Sequence, residues 1–446
     1  MKTQSKAPGS RRGSKTQVML QSPDSQEKLP KAPSEIARFH IFDDCVYAYE
    51  YALANRELAS LTGEAPSSSG LSDGLVLASV PERAVTNLSR RLAYFDHIQW
   101  NGSSTFTHQK TLSQVGGAIA SSSGKAYMTH WIYPYKGKFH PQMIRGLLNV
   151  MAIQEGETVL DPMTGSGTVN VEASLMGINS IGIDCSPVGI LAGRVKCALL
   201  DEHNARAFAQ AIPMSPPNGG AKRGLDRFMG DADTPRRAET SHEVATDSLR
   251  LLEFEALSIS QLPNRSFDPV WTKISGFYRS SALNSAKTVK KLGIQLGHPE
   301  LRLGDARETG LPDNGVDGII TSPPYAIALD YVSRNTIQLE QMGYSIDEMY
   351  TKTIGLRGKA KERANLYYLD LDTSIREMYR VLRPGHYAVV VIGDTRFDGK
   401  LLPTIQRTID FGKRAGFLLA DNMRKVSAGR FGLFRTESML VFQKPN

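Results

Sequence analysis

The segment from Ile319 to Tyr325 joins the apolar end of a strand to a polar pair, two prolines and an aromatic ring. Because a Pro-Pro step has no N–H to donate and a fixed φ, it predicts a rigid, extended turn whose carbonyl oxygens stay outside helix and sheet. Acceptors such as the Ser322 hydroxyl and the Pro323 carbonyl, beside the Tyr325 ring, suit a planar group that carries an exocyclic amine. The segment therefore predicts a nucleobase site, and a plain surface turn is the alternative.

A glycine-rich turn upstream supplies a second candidate site. Residues 157–168 indicate a strand that ends at the carboxylate of Asp161, a turn with the letters PMTGSG, and a helix that opens at Thr168. In an open α/β sheet, ligands bind beyond the carboxyl ends of strands, where glycines let the backbone approach and a helix N-terminus offers free N–H groups. The spacing matches neither the G-x-G-x-x-G dinucleotide motif nor the P-loop.

Two further carboxylates follow short apolar stretches. Asp184 ends the run Ser180 to Asp184, and Asp305 follows Leu303 and precedes a predicted strand from Val316 to Thr321. A carboxylate at a strand end can accept hydrogen bonds from a ribose diol. Three such carboxylates, a glycine turn and an amine-binding turn together predict a site for a nucleoside cofactor beside a base. For each carboxylate alone, a helix cap or turn acceptor is the alternative.

These motifs, in this order, resemble the class I S-adenosylmethionine-dependent methyltransferases that modify exocyclic amines, over roughly residues 131–446. Ser322 as the first residue of S-P-P-Y resembles the cytosine-N4 DNA methyltransferases, because the adenine-N6 enzymes usually have Asp or Asn there. The run Phe139-His140-Pro141 resembles the additional cofactor motif of that family, which packs on the methionine end of the cofactor.

The resemblance implies a role for each residue. Asp161 and Thr168 would contact the methionine amino and carboxylate groups, Asp184 the ribose and Asp305 the adenine amine. Gly165 and Gly167 would leave room for the cofactor. The full set of expected S-adenosylmethionine-binding residues is Phe139, His140, Pro141, Asp161, Pro162, Gly165, Ser166, Gly167, Thr168, Asp184 and Asp305.

The resemblance implies a site-specific DNA methyltransferase, of the kind found in restriction–modification systems, that methylates N4 of a flipped cytosine by direct in-line attack. The expected catalytic residues are Ser322, Pro323, Pro324 and Tyr325. No Pro-Cys nucleophile stands at the matching place, which disfavours C5 methylation. The alternatives are an adenine-N6 DNA methyltransferase, a tRNA or RNA guanine-N2 methyltransferase of the Trm-eleven-like type, and a nucleic-acid binder with a decayed site.

The fold class expected is α/β: a class I methyltransferase, Rossmann-like, with a seven-stranded, mostly parallel sheet. We predict a methyltransferase domain over residues 126–446 with a helical insertion at 201–300, and a small accessory α/β domain over residues 35–125. The accessory region is loosely similar to the N-terminal part of the Trm-eleven-like enzymes, which keeps RNA open as a substrate. Residues 1–34 lack an apolar period and predict a disordered, basic tail.

Apolar spacing predicts individual elements along the chain. In the accessory domain, we expect a helix that stops at Gly63 and a second helix that opens at Glu82 and extends to Phe95. Further helices are predicted at 243–257 and 281–292 in the insertion, and at 371–381 and 402–415 beyond it. Strands at 387–392, 418–426 and 437–443 would complete the sheet.

Positive charge weakly favours an anionic partner, and for the basic N-terminal segment a solubilising tail is the alternative. The chain has a formal net charge of +8, and its first 34 residues hold seven Lys/Arg against two Asp/Glu. A second basic segment follows the S-P-P-Y motif, and we predict a mobile loop there that contacts nucleic-acid phosphates, a solvated loop being the alternative. Its cations are Arg357, Lys359, Lys361 and Arg363.

The three cysteines, Cys45, Cys185 and Cys197, have no C-x-x-C spacing, which favours a reducing compartment and disfavours a disulfide framework or a metal site. We interpret Cys185 as structural. The chain shows neither a run of about 18 apolar residues nor a signal-peptide pattern. The expected location is therefore the cytoplasm, in association with the nucleoid.

Overall fold

The computed structural model describes residues 35–68, 74–115, 126–135, 137–213, 215–216, 240–324, 330–359, 362–397, 400–428 and 434–446. The disordered tail predicted for residues 1–34 lies outside the described residues, as do the predicted roles of Tyr325 and Lys361.

The N-terminal region forms a five-stranded sheet with helices on one face. Its elements are β1 (Glu35–Ile41), α1 (Ala48–Thr62), β2 (Ser67–Ser68), β3 (Leu75–Val80), α2 (Glu82–Arg91), β4 (Phe95–Trp100), β5 (Ser103–Phe106) and α3 (His108–Ser113). The strand order is β2-β3-β1-β4-β5, with antiparallel pairing throughout. Alternate residues of β1 (Ala37, Phe39 and Ile41) are buried, so one face of the sheet packs on the helices.

Helix α1 ends at the left-handed Gly63, as the sequence predicts. The prediction for α2 is wrong at its C-terminal end, because the helix stops at Arg91 and Phe95 begins β4. The buried carboxylate of Glu57 in α1 accepts the backbone N–H groups of Ala93, at 3.0 and 3.1 Å, and of Tyr94, at 2.9 Å. This long-range contact ends the helix where local apolar spacing would continue it.

The second sheet contains seven strands. After a 3₁₀ turn at Met128–Trp131, the first elements are α4 (Pro141–Val150), β6 (Thr158–Asp161), α5 (Thr168–Leu175), β7 (Asn179–Asp184), α6 (Pro187–Ala198), α7 (Glu202–Ala211), α8 (Ser241–Ser260), α9 (Phe267–Lys291), β8 (Pro299–Leu303) and β9 (Val316–Thr321). There follow α10 (Tyr331–Arg334), α11 (Thr336–Gln341), α12 (Ile346–Lys352), α13 (Arg363–Val381), β10 (Leu382–Gly393), β11 (Thr395–Phe397), β12 (Lys400–Leu402), α14 (Thr404–Ala415), β13 (Leu418–Ala428) and β14 (Phe434–Gln443).

The seven strands lie in the order β13-β14-β10-β9-β6-β7-β8. Strand β14 runs antiparallel to the other six, which all run in the same direction. A mostly parallel sheet of this kind, covered by helices on both faces, is the class I methyltransferase architecture. The predicted fold class is therefore confirmed. A separate antiparallel pair, β11 and β12, follows β10.

Helices α6 to α9 connect the second strand of this sheet to the third. The sequence predicts the second long helix of this segment from residue 281, but α9 begins at Phe267. Its first half is stabilised by burial of Val270, Trp271, Ile274 and Tyr278 in a cluster with α6, α7 and α8. Helix α13 also begins earlier than predicted, at Arg363 instead of residue 371.

One hydrophobic cluster contains residues of both sheets, among them Phe39 of β1, Leu147 of α4 and Val159 of β6. Polar contacts cross the same boundary. Asn149 of α4 donates its side-chain N–H to Glu57 at 2.8 Å and accepts from Arg91 at 3.0 Å. The accessory and catalytic regions thus share a core. Within the described ranges, no helix is long and apolar enough to cross a membrane.

Candidate active site

An open cleft lies at the carboxyl ends of β6, β7, β8 and β9. Segments far apart in the chain meet there because parallel strands end at one edge of the sheet. The lining residues are Tyr135, Gly137, Lys138, Phe139, Pro162, Met163, Thr164, Gly165, Ser166, Thr168, Asp184, Cys185, Ser186, Gly304, Asp305, Ala306, Ser322, Pro324, Tyr331, Val332, Leu339, Met349, Lys352, Thr353 and Ile354.

The glycine turn and the end of β7 form one hydrogen-bonded unit. The Asp184 carboxylate accepts the backbone N–H of Gly165 at 2.7 Å and that of Ser186 at 2.8 Å. Burial raises the pKa of Asp184, while those backbone donors favour its ionised form. A carboxylate has about four acceptor positions, so two bonds to the turn leave capacity for a ligand diol. Asp184 is thus a turn acceptor that also faces the cleft.

The two glycines of the turn have different steric partners. Gly165 has φ +52°, and a Cβ there would lie 3.2 Å from Cε1 of Tyr135, which lines the cleft. Gly167 has φ +77°, and its Cβ would lie 2.8 Å from the Cα of Gly193 in α6. The expectation that Gly167 leaves room for the cofactor is therefore corrected: it is not a lining residue, and its missing side chain allows α5 and α6 to approach closely.

Asp161 lies beneath the cleft and does not line it. Its side chain is 1% exposed, and Oδ1 accepts the hydroxyl of Thr321 at 2.8 Å and the backbone N–H of Met163 at 3.1 Å. Burial raises the pKa of Asp161 to about 7. The predicted direct contact with the methionine end of the cofactor does not match this placement. Asp161 instead connects the end of β6 to the end of β9.

The S-P-P segment follows β9 directly. Ser322 and Pro324 are half-buried and line the cleft, whereas Pro323 between them is buried. Ser322 thus lies in the same cleft as Gly165 and Asp184, as the order of the motifs predicts.

Asp305 follows β8 and also lines the cleft, but its carboxylate already has a partner. Arg307 donates to it through Nε at 2.9 and 3.0 Å and through a terminal nitrogen at 2.6 Å. Partial burial acts to raise the pKa of Asp305, and the Arg307 bonds outweigh it, so that the pKa is lowered. A nearby ligand amine would therefore meet an ionised acceptor.

The structure separates the members of the Phe139-His140-Pro141 run. Phe139 lines the cleft, while His140 occupies the N-cap position of α4 and Pro141 is the buried first residue of that helix. Thr168 is the first residue of α5 and lines the cleft, and Pro162 and Ser166 also line it.

Sequence reasoning missed the aromatic wall of the cleft. Tyr135 and Tyr331 lie nearly parallel, with ring centroids 6.3 Å apart and an interplanar angle of 15°. The cluster Trp-Ile-Tyr-Pro-Tyr at 131–135, just ahead of Phe139, was the available signal. Cys185 also lines the cleft, and burial raises the pKa of its thiol to about 12, which leaves it protonated at neutral pH.

The predicted phosphate-binding loop is largely engaged within the protein. Arg357 donates through Nε to Asp370 at 2.8 Å, and Arg363 is the first residue of α13 and donates to the Gly358 carbonyl at 3.2 Å. Lys359 is exposed. A guanidinium held by a buried carboxylate is a poor phosphate ligand, so we correct the prediction for Arg357.

The sheet order and the cleft define a class I methyltransferase domain, whose cofactor is S-adenosylmethionine. The residues present fit that group. The buried Oγ of Ser166, in the glycine turn, has no hydrogen-bond partner among the described residues, and the carboxylates of Asp184 and Asp305 face the same cleft. One hydroxyl and two acceptors around a cleft suit a nucleoside with an amino-acid tail.

Comparisons with known proteins agree with this class. Residues 132–211 match the UPF0020 family, RMKL-like, methyltransferase domain. The type II methyltransferase M.MjaII of Methanocaldococcus jannaschii is 42% identical over 115 residues, which is 26% of this chain and 22% of that protein. The type II methyltransferase M.BsoBI of Geobacillus stearothermophilus is 36% identical over 90 residues, 20% of this chain and 18% of that protein.

A tRNA (guanine(10)-N2)-dimethyltransferase of Methanothermobacter thermautotrophicus is 36% identical over 50 residues, which is 11% of this chain and 15% of that protein. The chain thus spans about a fifth of the length of the curated relatives that it matches. In the part of the chain that the structure describes, no group of three or more His, Cys, Asp or Glu could hold a metal ion.

Proposed function

We propose that this protein transfers the methyl group of S-adenosylmethionine to N4 of cytosine in DNA. The observation that supports this most is the shared cleft: Ser322 and Pro324 face the same space as Gly165 and Asp184. An acceptor turn for an amine therefore lies beside a turn suited to the cofactor. The similarity to two type II methyltransferases supports DNA as the substrate in this proposal.

The amine of cytosine is a weak nucleophile because its lone pair is delocalised into the ring. In this proposal, the Ser322 hydroxyl and the Pro323 carbonyl accept its two N–H groups and draw the nitrogen toward a tetrahedral geometry. The same acceptors stabilise the positive charge that develops on nitrogen as the bond to carbon forms. When bound, S-adenosylmethionine would supply an electrophilic methyl group, and the electron pair of the broken C–S bond would stay on its sulfur. The methylated nitrogen then loses one proton to water, and proximity within one cleft provides much of the acceleration.

A cytosine within duplex DNA cannot reach Ser322 unless it leaves the base stack. The residues proposed to receive it are Tyr325, which the sequence places directly after the two prolines, and the half-buried Tyr331. An uncharged serine at the first position of the motif suits the neutral cytosine edge. We assign Asp184 to the ribose and Asp305 to the adenine amine of the cofactor, with Phe139, Ser166 and Thr168 near its methionine end.

The test uses methyl-labelled S-adenosylmethionine with duplex DNA or total tRNA, followed by digestion to nucleosides. Label in N4-methylcytosine from DNA is the expected result. Label in N6-methyladenine would retain DNA as substrate and overturn the base assignment. A Ser322→Ala variant serves as the matched control, because contaminating methyltransferases would be unaffected by it.

A tRNA guanine-N2 methyltransferase is the second candidate. The observation that favours it is the similarity to the tRNA (guanine(10)-N2)-dimethyltransferase, together with a separate N-terminal sheet that could guide RNA. The same experiment separates the two candidates, because label in N2-methylguanine from tRNA would establish the second and exclude the first.

A further inference from the structure

The N-terminal sheet has an open face. Alternate residues of β1, β3 and β4 pack on α1 and α2, and the intervening residues point to the other side. The open-face residues in register across the sheet are Leu75, Leu77 and Ser79 on β3, Ile36, Arg38 and His40 on β1, His97 and Gln99 on β4, and Ser104 and Phe106 on β5. No helix in the described ranges covers this side: Ile36 remains 68% and Phe106 63% exposed.

Three rings form a row on this open face. His40 and His97 are paired across β1 and β4 and stack with centroids 4.1 Å apart and an interplanar angle of 8°. Phe106, paired with His97 across β4 and β5, meets it edge-on at 5.9 Å. His40 and His97 cover each other's inner ring faces and are half-buried, so the ring surface open to solvent is mainly that of Phe106.

The charge of the open face is positive. Arg38 is exposed next to His40 and pairs in register with the uncharged Gln99. The carboxylate of Asp96, next to His97 in the chain, is paired with Lys110 at 2.6 Å and contacted by His97 at 3.2 Å. The exposed Arg38 therefore favours an anionic ligand on this face.

We propose that the open face binds single-stranded nucleic acid, with a base stacked on Phe106, which packs edge-on against His97, and a backbone phosphate near Arg38. A sheet surface with exposed rings binds single strands because their bases are free to stack, whereas the bases of a duplex are not. On the open face, Arg38, Gln99 and serines interrupt the apolar side chains. This face therefore lacks the continuous apolar patch that a protein partner would need. This binding requires neither cofactor nor methyl transfer, so it is independent of the proposed function.

The test is fluorescence anisotropy of the full-length protein, without cofactor, with labelled 20-nucleotide oligo(dT), oligo(U) and a duplex of the same length. We expect a single strand to bind, and Phe106→Ala and His97→Ala each to weaken its binding roughly five- to a hundredfold. Arg38→Gln should reduce the slope of log affinity against log salt by about 0.7. Leu369→Ala, at a position 57% exposed on α13, is the matched control and should leave binding unchanged.

A second measurement locates the contact. An oligonucleotide containing a photoreactive thio-base should cross-link to the peptide that includes Phe106. Unchanged affinity in Phe106→Ala with cross-links only elsewhere would overturn the proposal. Equal affinity for the duplex, with the same sensitivity to Phe106→Ala, would also overturn it, because the face would then bind duplexes. A dimer that Phe106→Ala dissociates would overturn it as well, because the face would then serve self-association. Because Phe106 is largely exposed, the melting temperature of the variant should match that of the wild type.

Discussion

The hydroxyl of Thr321 donates to the carboxylate of Asp161 at 2.8 Å and so joins the ends of two adjacent parallel strands, β9 and β6. Each strand leads directly into one half of the candidate site. Ser322 follows Thr321, and the glycine turn follows Asp161. Because both partners are buried, this contact fixes the position of the S-P-P turn relative to the glycine turn.

We predict that Thr321→Val lowers both stability and turnover. The substitution removes the donor and leaves one buried carboxylate oxygen with a single partner, which costs about 1–3 kcal/mol in the free energy of unfolding. The cost should be greater at pH 8 than at pH 5, because Thr321 stabilises the ionised form of Asp161. Urea unfolding at both pH values tests this. Thr321→Ser keeps the hydroxyl and should behave like the wild type; equal losses in the two variants would contradict the role of the hydrogen bond.

Asp161 should make stability depend on pH. Burial raises its pKa in the folded protein to about 7, from an ordinary value of 3.8, so the folded state binds more protons between those values. The free energy of unfolding therefore decreases as pH rises from about 4 to about 7. Asp161→Asn keeps the acceptor for Thr321 and cannot ionise, so it should flatten this dependence by up to about 1.4 kcal/mol per pH unit. Unfolding titrations across this range measure the slope, and parallel curves would refute the assignment.

Ser322→Ala should reduce turnover by on the order of 10²-fold while leaving cofactor affinity nearly unchanged, because its hydroxyl is proposed to act on the transferring amine. Asp184→Ala should weaken cofactor binding more than turnover at saturation, because it removes the proposed ribose acceptor and releases the Gly165 N–H. Isothermal titration with S-adenosylmethionine and a steady-state methylation assay give the two quantities. Equal effects of both variants on cofactor affinity would argue against this division of the site.

The two glycines of the turn should respond differently to alanine. Gly167→Ala places a Cβ 2.8 Å from backbone at Gly193 and should lower the free energy of unfolding by several kcal/mol. Gly165→Ala, at φ +52°, meets a Tyr135 ring carbon at 3.2 Å and no backbone, so it should cost less stability than Gly167→Ala, and its main loss should be in cofactor affinity. Gly276→Ala, in α9 with open space around it, is the control and should be neutral or slightly stabilising. Thermal melts and cofactor titrations separate these outcomes.

Arg357 and Lys359 should differ in their effect on nucleic-acid binding. Arg357→Gln removes one partner of the buried Asp370 and should reduce stability, with little change in affinity for duplex DNA. Lys359→Gln should leave stability unchanged and, where the lysine contacts a phosphate, reduce the slope of log affinity against log salt by about 0.9. Anisotropy titrations at several salt concentrations test both, and a reduced slope for Arg357→Gln alone would reverse the assignment.

The seven-stranded sheet was largely predictable because its signals are local. The strand from Val316 to Thr321 is bounded by Gly315 and the two prolines, and it appears as β9 with the predicted bounds. The left-handed Gly63 likewise ends α1 as expected. In both cases the residues that determine the boundary are its immediate neighbours.

The predictions for the end of α2 and for Arg357 were wrong because a residue distant in the sequence determines the local structure. Leu92 and Phe95 continue the apolar spacing of α2, but Glu57 captures the backbone N–H groups of Ala93 and Tyr94 and ends the helix. Arg357 lies in a basic run, yet Asp370 pairs with it. Neither partner could be identified from local sequence, because each becomes a neighbour only after the chain has folded.

The core shared by the two sheets has a consequence for how this protein can be taken apart. Cutting the chain near residue 125 and separating the two fragments would break the hydrogen bond between Arg91 and Asn149 and expose the apolar side of α4 to water. We expect neither fragment to fold stably in isolation. When the two fragments are co-expressed, we expect them to associate. Replacing the N-terminal region with that of another protein would therefore require a redesigned interface between the two sheets, not a simple fusion.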